Sequence, residues 1–418
     1  MNRARPASTA RRRLLPAVDY GWLIVAALCV TETITWGIVY YGFPVFLRAM
    51  EGDLGASRVA VTGAFSLGLG VSAIAALPVG RWLDRRGPRL LMTLGSCLGT
   101  ALVFCWSRVE TLAGLYLVWG LMGLAMAATL YEPAFAAVVQ WFATGRDRAL
   151  LTLTLVAGLA STIFMPLANW LLERLGWRPA LLALAAILAV TTIPIHALVL
   201  RHPGDSARKR GVSAPAPAAP GVPLPAALRR AVFWVLAVAF VVGNFAVASI
   251  TVHLIPYLGQ YGYSAAFGAA AVGWMGAMQL AGRILFVPIA SRLGSRWVTA
   301  GIFLAQGAGM AQLALVGWLP SLIPTIVMLG AANGMSTLAR ATTVSDIFGR
   351  RHYGTISGAM ALGANGARAL GPIGASLLYV GLGGYERLFA ALAVALAVAS
   401  LAVLMADATP EAGAEDGA

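Results

Sequence analysis

Five charged residues stand inside stretches of this 418-residue chain that are otherwise apolar enough to cross a lipid bilayer. They are Glu32, Glu132, Arg283, Arg340 and Arg368. A formal charge at the bilayer centre costs roughly 2.5–3.5 kcal/mol on insertion scales, so such residues usually face a protein interior or a wet cavity. Five of them in one chain indicate a polar path through the membrane, as in a transporter.

Two of the arginines, Arg283 and Arg368, suit the binding of a carboxylate. A guanidinium is always charged and offers a fork of donors that matches the two carboxylate oxygens. For Arg283 the alternative is a structural ion pair, but no acid lies within one helical turn of it. For Arg368 the alternative is a cation that pairs with helix-end carbonyls. We expect Arg283 to bind substrate and Arg368 to assist it.

Glu32 is the candidate for proton coupling. It lies near the middle of the first apolar run, and Trp36 and Tyr40 follow at helical spacing on the same face. Burial favours the neutral form of a carboxyl group, whereas a nearby arginine favours the charged form. A carboxyl group caught between these effects can carry a proton through a transport cycle. The alternative is an interhelical hydrogen bond alone.

The composition excludes several classes of protein. Hydrophobic residues make up 59% and charged residues 11% of the chain, whereas soluble domains carry about 25% charged residues. The net charge of +14 comes from arginines (Lys209 is the one lysine) in short loops between apolar runs, which argues against nucleic-acid binding. Cys29, Cys97 and Cys105 lack metal-ligand spacing, and no catalytic triad or phosphate loop is present. The sequence therefore predicts no enzyme, no metal and no cofactor.

A bilayer-spanning helix needs about 20 mostly apolar residues, and this template predicts twelve spans. Their expected bounds are 22–47, 58–80, 89–107, 111–140, 149–172, 178–200, 230–257, 265–290, 297–317, 320–345, 354–380 and 386–406. Alternate loops carry 21 of the 30 Arg and Lys residues, the opposite loops carry 6 and the spans carry 3. Because Arg- and Lys-rich loops stay cytoplasmic, both termini are predicted to be cytoplasmic.

The predicted spans divide into two groups of six. The Pro-rich segment 201–229 can form little core and is expected to be a cytoplasmic linker, partly disordered. We therefore predict a short N-terminal segment at 1–21, six-helix bundles at 22–200 and 230–406, and a cytoplasmic tail at 407–418. The fold class predicted is an all-α membrane protein.

The two bundles also resemble each other in sequence. Residues 84–89 match 291–296 at an offset of 207, and Pro166 matches Pro372 at 206. Landmarks at a near-constant offset indicate a duplicated six-helix unit, hence two pseudo-symmetric bundles. Glu132 and Arg340 fall near equivalent positions of the two repeats. For this pair we favour a gating salt bridge, and the alternative is that Glu132 carries the proton.

The run Gly80-Arg81-Trp82-Leu83-Asp84-Arg85-Arg86-Gly87-Pro88-Arg89 resembles the loop motif of the major facilitator superfamily. In the second repeat Ser291 replaces the acid. The resemblance covers the whole chain and implies the major facilitator fold. It also implies that Asp84, Arg85 and Arg89 take part in gating, because charges and helix-end dipoles can hold the two halves together in one state.

Within that superfamily the chain is most similar to the monocarboxylate porters and the oxalate–formate antiporters. The similar segments are Asp19-Tyr20-Gly21-Trp22, the block from Tyr131 and Pro133 through Trp141-Phe142 to Gly176-Trp177-Arg178, Arg201-His202-Pro203, and Gly282-Arg283. The resemblance implies that Arg283 holds the substrate carboxylate, and that Arg368 stands where the antiporters have a second cation, normally lysine.

Two positions depart from the pattern of the porters. Gln279 stands where an aspartate commonly takes part in proton coupling, and Tyr41 stands where the animal porters have a lysine. A transporter site is mostly apolar with a few placed polar groups, so further cavity-lining residues are expected. We predict Tyr40, Tyr41, Tyr131, Asn244, Gln279 and Asn365.

These features together predict a secondary transporter for a small organic anion of mono- or dicarboxylate type, coupled to protons or to a counter-anion. We expect it to be a monomer in a bacterial cytoplasmic membrane. The alternative is a multidrug or xenobiotic exporter of the same superfamily, with Glu132 as the central residue. A non-transporting membrane sensor would need a sizeable soluble domain, which the sequence does not contain.

Overall fold

The computed structural model describes residues 20–142, 144–201, 221–315 and 319–406. The predicted N-terminal segment up to residue 19, most of the predicted linker (202–220) and the predicted tail (407–418) lie outside the described residues. Twelve long helices dominate the described part of the chain. They are α1 (Tyr20–Leu54), α2 (Arg58–Arg86), α3 (Pro88–Trp106), α4 (Leu112–Trp141), α5 (Arg146–Leu175), α6 (Trp177–Leu198), α7 (Ala231–Gln260), α8 (Ala265–Leu293), α9 (Ser295–Leu315), α10 (Leu319–Phe348), α11 (Tyr353–Leu382) and α12 (Tyr385–Met405).

Each predicted span coincides with one of these helices, with ends that agree within three residues except for α1 and α2. Those two run on to Leu54 and Arg86, because helical hydrogen bonding continues past the point where charged residues end the apolar pattern. In the described ranges eleven helices are long and apolar enough to cross a membrane. Helix α11 has 30 residues but is more polar. The chain is a multi-pass membrane protein.

The two halves, α1–α6 and α7–α12, repeat each other closely. Corresponding pairs exactly one repeat apart, at an offset of 207, are Gly55 and Gly262, Ser57 and Ser264, Gly87 and Gly294, and Gly176 and Gly383. Ser57 and Ser264 are both N-caps whose hydroxyls accept a backbone N–H bond in the first helical turn. Gly87 and Gly294 both have φ values in the left-handed region that ends α2 and α8. The predicted duplication is confirmed.

The helices form an inner and an outer set. Helices α3 and α6 pack on each other at the outside of one half, as α9 and α12 do in the other. The remaining eight helices line a cavity between the halves. The cavity is thus enclosed by α1, α2, α4 and α5 on one side and by their repeat partners on the other.

Three helices of the first half change their winding beside this cavity. Helix α1 contains one π-helical turn at Trp36–Tyr40, α4 is interrupted at Leu130, and α5 loosens at Gly158 and Leu159. Irregular backbone at membrane depth is tolerated where it borders protein or a water-filled cavity. These interruptions therefore indicate a wet space at the centre of the molecule.

The halves meet at one end of the molecule, which we call the closed end; it carries the α2–α3, α4–α5, α8–α9 and α10–α11 connections. Here the guanidinium of Arg146 pairs with Asp346 of the other half at 2.6 Å. At the opposite, open end, the ion pairs Arg58–Glu51 and Arg178–Asp53 both lie within the first half. Among the described residues the side-chain hydrogen bonds that join the halves lie at mid-depth or towards the closed end.

Glycines allow α2 and α11 to touch across the closed end. A Cβ atom on Gly80 would lie 2.0 Å from the carbonyl oxygen of Gly354, and one on Gly358 would lie 2.3 Å from that of Ala76. Neither distance is possible for a real side chain, because the opposing atoms are backbone. Only glycine permits this approach of the two halves.

We therefore expect Gly358→Ala to disfavour the closed arrangement of the two halves. Gly366→Ala is the matched control on the same helix, because a Cβ there meets no heavy atom within 4 Å. Spin labels at the exposed positions Arg148 and Arg292, one in each half, report the separation of the closed end. A longer distance is expected for Gly358→Ala alone; identical distances for both variants would contradict the steric argument.

Candidate transport site

The cavity between the halves has a volume of about 840 Å³ and reaches from the open end to the middle of the molecule. It contains all eight residues predicted to contact substrate. They are Arg283, Arg368, Tyr40, Tyr41, Tyr131, Gln279, Asn244 and Asn365. Further polar residues of α10 line it as well, namely Asn333, Ser336 and Thr337.

Arg283 projects from α8 towards the other half. Its Nη1 atom donates a hydrogen bond of 2.6 Å to the backbone carbonyl of Thr154, at the point where α5 loosens. A Cβ on Gly158 would lie 2.8 Å from the same nitrogen, so glycine leaves room for the guanidinium. The Nε atom is buried and has no hydrogen-bond partner. Among the described residues no acid pairs with Arg283, so its charge is uncompensated at the cavity wall.

Arg368 lies on α11 and is exposed to the cavity. Its Nη2 atom donates to the amide oxygen of Asn244 at 2.7 Å, and the Asn244 amide nitrogen donates to the carbonyl of Phe240. Asn244 thus orients the guanidinium without neutralising it. None of the ion pairs among the described residues involves Arg283 or Arg368.

Aromatic rings form the opposite side of the cavity, which we call the aromatic wall: Trp36, Tyr40, Tyr41 and Tyr131. The Trp36 ring centroid lies 5.0 Å from that of Tyr40 and 4.9 Å from that of Tyr131. Tyr41 and Tyr131 line the same cavity as Arg283 and Arg368. The π-helical turn of α1 supplies Trp36 and Tyr40, and such turns often occur at functional sites.

Glu32 lies behind this wall rather than in the cavity lining. It is completely buried, its Oε2 atom accepts a 3.1 Å hydrogen bond from the Trp36 indole, and its Oε1 atom has no partner. No ion pair among the described residues reaches it. Trp36 therefore lies between the carboxyl group and the cavity: its indole N–H donates to Glu32, and its ring lines the cavity.

Glu132 and Arg340 meet at the floor of the cavity. Two guanidinium nitrogens face the two carboxylate oxygens at 2.5 and 3.3 Å, which is a forked ion pair between the halves. The hydroxyl of Ser357 on α11 donates to Glu132 at 3.0 Å. Glu132 also stands in the first turn of the second segment of α4, where the helix dipole favours a negative charge. The structure thus brings together the pair that sequence analysis assigned to gating.

Asp84 also bridges the halves. Its two carboxylate oxygens accept hydrogen bonds from the backbone N–H groups of Gly354 and Thr355, at 2.8 and 2.7 Å. These are free donors in the first turn of α11, whose own N-cap residue, His352, provides no capping hydrogen bond. A carboxylate of one half therefore caps a helix of the other.

The two arginines of the same motif have other surroundings. Arg85 is exposed, and its side chain makes no hydrogen bond or ion pair with the described residues. The Nε atom of Arg89 donates to the carbonyl of Ala197 at the end of α6, within its own half. Its repeat partner Arg296 makes the same bond to Val403 at the end of α12. The observed contact of Arg89 joins helices within one half.

Three parts of this arrangement were not predicted from the sequence. The Thr154 carbonyl that receives Arg283 is a backbone atom and leaves no mark in the sequence. The ion pair of Arg146 and Asp346 joins residues 200 positions apart. Trp36 was noted only for its spacing from Glu32, although the aromatic spacing after a buried acid could have indicated a cavity wall. The described residues contain no cluster of His, Cys, Asp and Glu that could hold a metal.

Comparison with known proteins decides the family. The family model of the Major Facilitator Superfamily matches residues 22–285 and 265–418. The chain belongs to this superfamily. The fold predicted from the sequence is thereby confirmed as that of a membrane transporter.

Curated relatives place the chain near carriers of carboxylates. It is 29% identical to monocarboxylate transporter 13 of Bos taurus over 62% of each chain. It is 30% identical to monocarboxylate transporter 11 of Homo sapiens over 74% of this chain and 64% of that one. The oxalate:formate antiporter of Oxalobacter formigenes is 26% identical over 76% of each chain. The matches thus span somewhat less than two thirds of the two monocarboxylate transporters.

Solved structures share the fold at low identity. The Escherichia coli fucose:proton symporter FucP has a TM-score of 0.72 and 15% identity, covering 94% of this chain and all of that one. The human organic anion transporter MFSD10 has a TM-score of 0.68 and 14% identity, covering 93% of this chain and all of that one. These likenesses concern the architecture alone.

The capping contact of Asp84 can be tested against the equivalent position of the second repeat, Ser291. Asp84→Ala removes the cap between the halves, whereas Ser291→Ala changes the repeat-equivalent residue, whose hydroxyl bonds only to Pro288 of its own helix. Loss of an N-cap costs about 0.5–2 kcal/mol, so the closed end should open roughly 2- to 30-fold more often. Spin-label distances across the closed end measure this shift. An equal response of both variants would rule out a capping role for Asp84.

Proposed function

We propose that this transporter carries small organic anions of the mono- or dicarboxylate type across a bacterial cytoplasmic membrane by alternating access. The observation that carries this proposal is the guanidinium of Arg283, half-buried at the cavity wall and without an acidic partner among the described residues. A cation in such a place is stabilised by an anionic guest. The names of the relatives, monocarboxylate transporters and an oxalate:formate antiporter, support the same substrate class.

The charges around the cavity favour an anion over a cationic drug. Arg283 and Arg368 line it without acidic partners in the part of the chain that the structure describes, while Glu132 is engaged with Arg340. A multidrug exporter with Glu132 as its central residue would need that carboxylate free to meet a cation. The net positive charge of the lining instead attracts negatively charged solutes.

The conformation is proposed to be outward-open. The closed end carries the Arg-rich loops that the positive-inside rule assigns to the cytoplasm. The cavity then faces the outside, with Asp84, Arg146 and the Glu132–Arg340 pair holding the inner side shut. Binding of an anion at Arg283 would weaken the bond to the Thr154 carbonyl, which joins the halves, and so bias the alternation between states.

Glu32 is proposed to carry the coupled proton. An ionised carboxylate that is fully buried without a cation would be costly, so in this state the acid form is favoured. Trp36 links Glu32 to the cavity wall, and Tyr131 interacts with both Glu32 and Arg283. Release of the proton in the opposite state would accompany release of the substrate. Glu132, held by Arg340, is the second candidate.

Substitution of Arg283 tests substrate binding. Hydrogen bonds to charged groups contribute about 1.5–3 kcal/mol, so Arg283→Lys should weaken carboxylate binding roughly 10- to 150-fold, and Arg283→Ala more. Uptake of labelled lactate and oxalate into proteoliposomes, with thermal shifts against both acids, gives the measurement. Arg292→Ala, an exposed arginine of the same helix, is the control and should be unchanged. Undiminished transport by both Arg283 variants would remove this residue from the mechanism.

Substitution of Glu32 separates coupling from binding. Glu32→Gln keeps the shape and the hydrogen bond from Trp36 but cannot release a proton. We expect accumulation driven by a pH gradient to fall to the level without a gradient, while counterflow exchange of the same acid continues. Accumulation that still follows the pH gradient in Glu32→Gln would exclude this residue as the coupling site.

A further inference from the structure

The cavity is divided into two chemically different walls. The second half supplies Arg283 and Arg368, which have no ion pair among the described residues, and the amides Asn244, Gln279, Asn333 and Asn365. The first half supplies the aromatic wall, Trp36, Tyr40, Tyr41 and Tyr131. A ligand that spans the cavity therefore meets hydrogen-bond donors on one side and ring surface on the other.

The aromatic wall is apolar surface without a partner. All four of its residues are half-buried, so part of each ring faces the open cavity. Their centroids lie 4.9–5.2 Å apart in the sequence Tyr131, Trp36, Tyr40, Tyr41, which makes the ring surface continuous. Apolar surface that faces water is unfavourable until another apolar group covers it. A carboxylate as small as oxalate or formate has no such group.

The two walls are close enough for one small molecule to use both. Arg283 reaches from α8 to the first half, where its Nη1 atom bonds to the Thr154 carbonyl, and it lines the same cavity as Tyr41 and Tyr131. A carboxylate held by Arg283 would thus direct its carbon skeleton towards the rings. The cavity of about 840 Å³ has room for a ring-bearing ligand.

We propose that the substrate is an aromatic carboxylate, whose carboxylate binds Arg283 and whose planar ring packs on Trp36 and its aromatic neighbours. This inference rests on the proposed function and narrows its substrate class. Arg368, which is exposed and oriented by Asn244, would meet the anion first or hold a second oxygen substituent on the ring. Aromatic pairs prefer offset-stacked or edge-to-face contacts, which a flat ring can make and a puckered aliphatic ring cannot.

A matched pair of acids tests the ring contact. Benzoate and cyclohexanecarboxylate carry the same charge on a six-membered ring, and they differ in planarity and aromatic character. An aromatic contact contributes roughly 0.5–1.5 kcal/mol beyond area, so benzoate should bind about 2- to 12-fold more tightly. Isothermal titration of the purified transporter with benzoate, cyclohexanecarboxylate, acetate and oxalate provides the affinities.

Variants assign the preference to the wall. Trp36→Leu should abolish the preference for benzoate while acetate still binds, and Trp36→Phe, which keeps a ring, should retain it. Trp170→Leu is the matched control, because Trp170 is a tryptophan of the same half that is 55% exposed outside the cavity lining. It should behave as the wild type.

The outcomes separate this inference from the proposed function. Equal affinity for benzoate and cyclohexanecarboxylate, or a preference that survives in Trp36→Leu, would overturn the aromatic substrate. Binding of acetate and oxalate without binding of benzoate would also overturn the aromatic substrate. If Arg283→Lys weakens the binding of acetate and oxalate in that case, the anion-transport proposal stands. If none of the four acids binds, or if their affinities are the same in Arg283→Lys as in the wild type, both the aromatic substrate and the proposed anion transport would be overturned.

Discussion

The arrangement of this transporter depends on the guanidinium of Arg283, which lies at the boundary between the halves without an acidic partner among the described residues. A cation at membrane depth needs hydrogen-bond acceptors, water or an anion. Here the Thr154 carbonyl satisfies one nitrogen, while the buried Nε remains without a partner. Gly158 and the loosened turn of α5 provide the space. Because the acceptor belongs to the other half, whatever competes for Arg283 also changes the contact between halves.

The closed end shows how a duplicated fold becomes asymmetric. Asp84 caps α11 across the interface, but its repeat partner Ser291 bonds only within its own helix. The ion pair of Arg146 and Asp346 joins the start of α5 to the end of α10 instead. Arg89 and Arg296, in contrast, keep the same bond in both repeats, because fastening the outer helices of a half is needed in every state. The Arg89 contact within a half is thus repeated, whereas the Asp84 cap between the halves is not.

Much of the fold was predictable because lipid imposes a simple rule. Every spanning segment must satisfy its own backbone, so runs of about 20 apolar residues become helices, and the observed ends follow closely. The location of the cavity was also predictable in part, since charges such as Arg283 and Arg368 cannot face lipid cheaply. The repeat offset correctly indicated that Glu132 and Arg340 lie at similar depths.

The remainder could not be read from the sequence, because it arises from contacts between distant segments. The surroundings of Glu32 are apolar, as its place in an apolar run indicates. Its position behind the aromatic wall, however, results from the packing of Trp36 between its carboxyl group and the cavity. The change of winding at Trp36–Tyr40 has no clear sequence pattern, yet it turns the aromatic side chains to the cavity. The partner of Arg283 is a backbone carbonyl, which any residue could have supplied.

Chemical modification of Arg283 tests whether its guanidinium is open to the cavity and available to an anion. A membrane-impermeant dicarbonyl reagent, applied from the open side and followed by peptide mass spectrometry, reports whether this guanidinium is reachable and free. We expect modification of Arg283 in the ligand-free protein and protection by a saturating carboxylate, with lactate, oxalate and benzoate as probes. If Arg283 stays unmodified while Arg368 reacts, Arg283 is not open to the cavity. If none of the carboxylates reduces the modification of Arg283, it does not bind the substrate carboxylate.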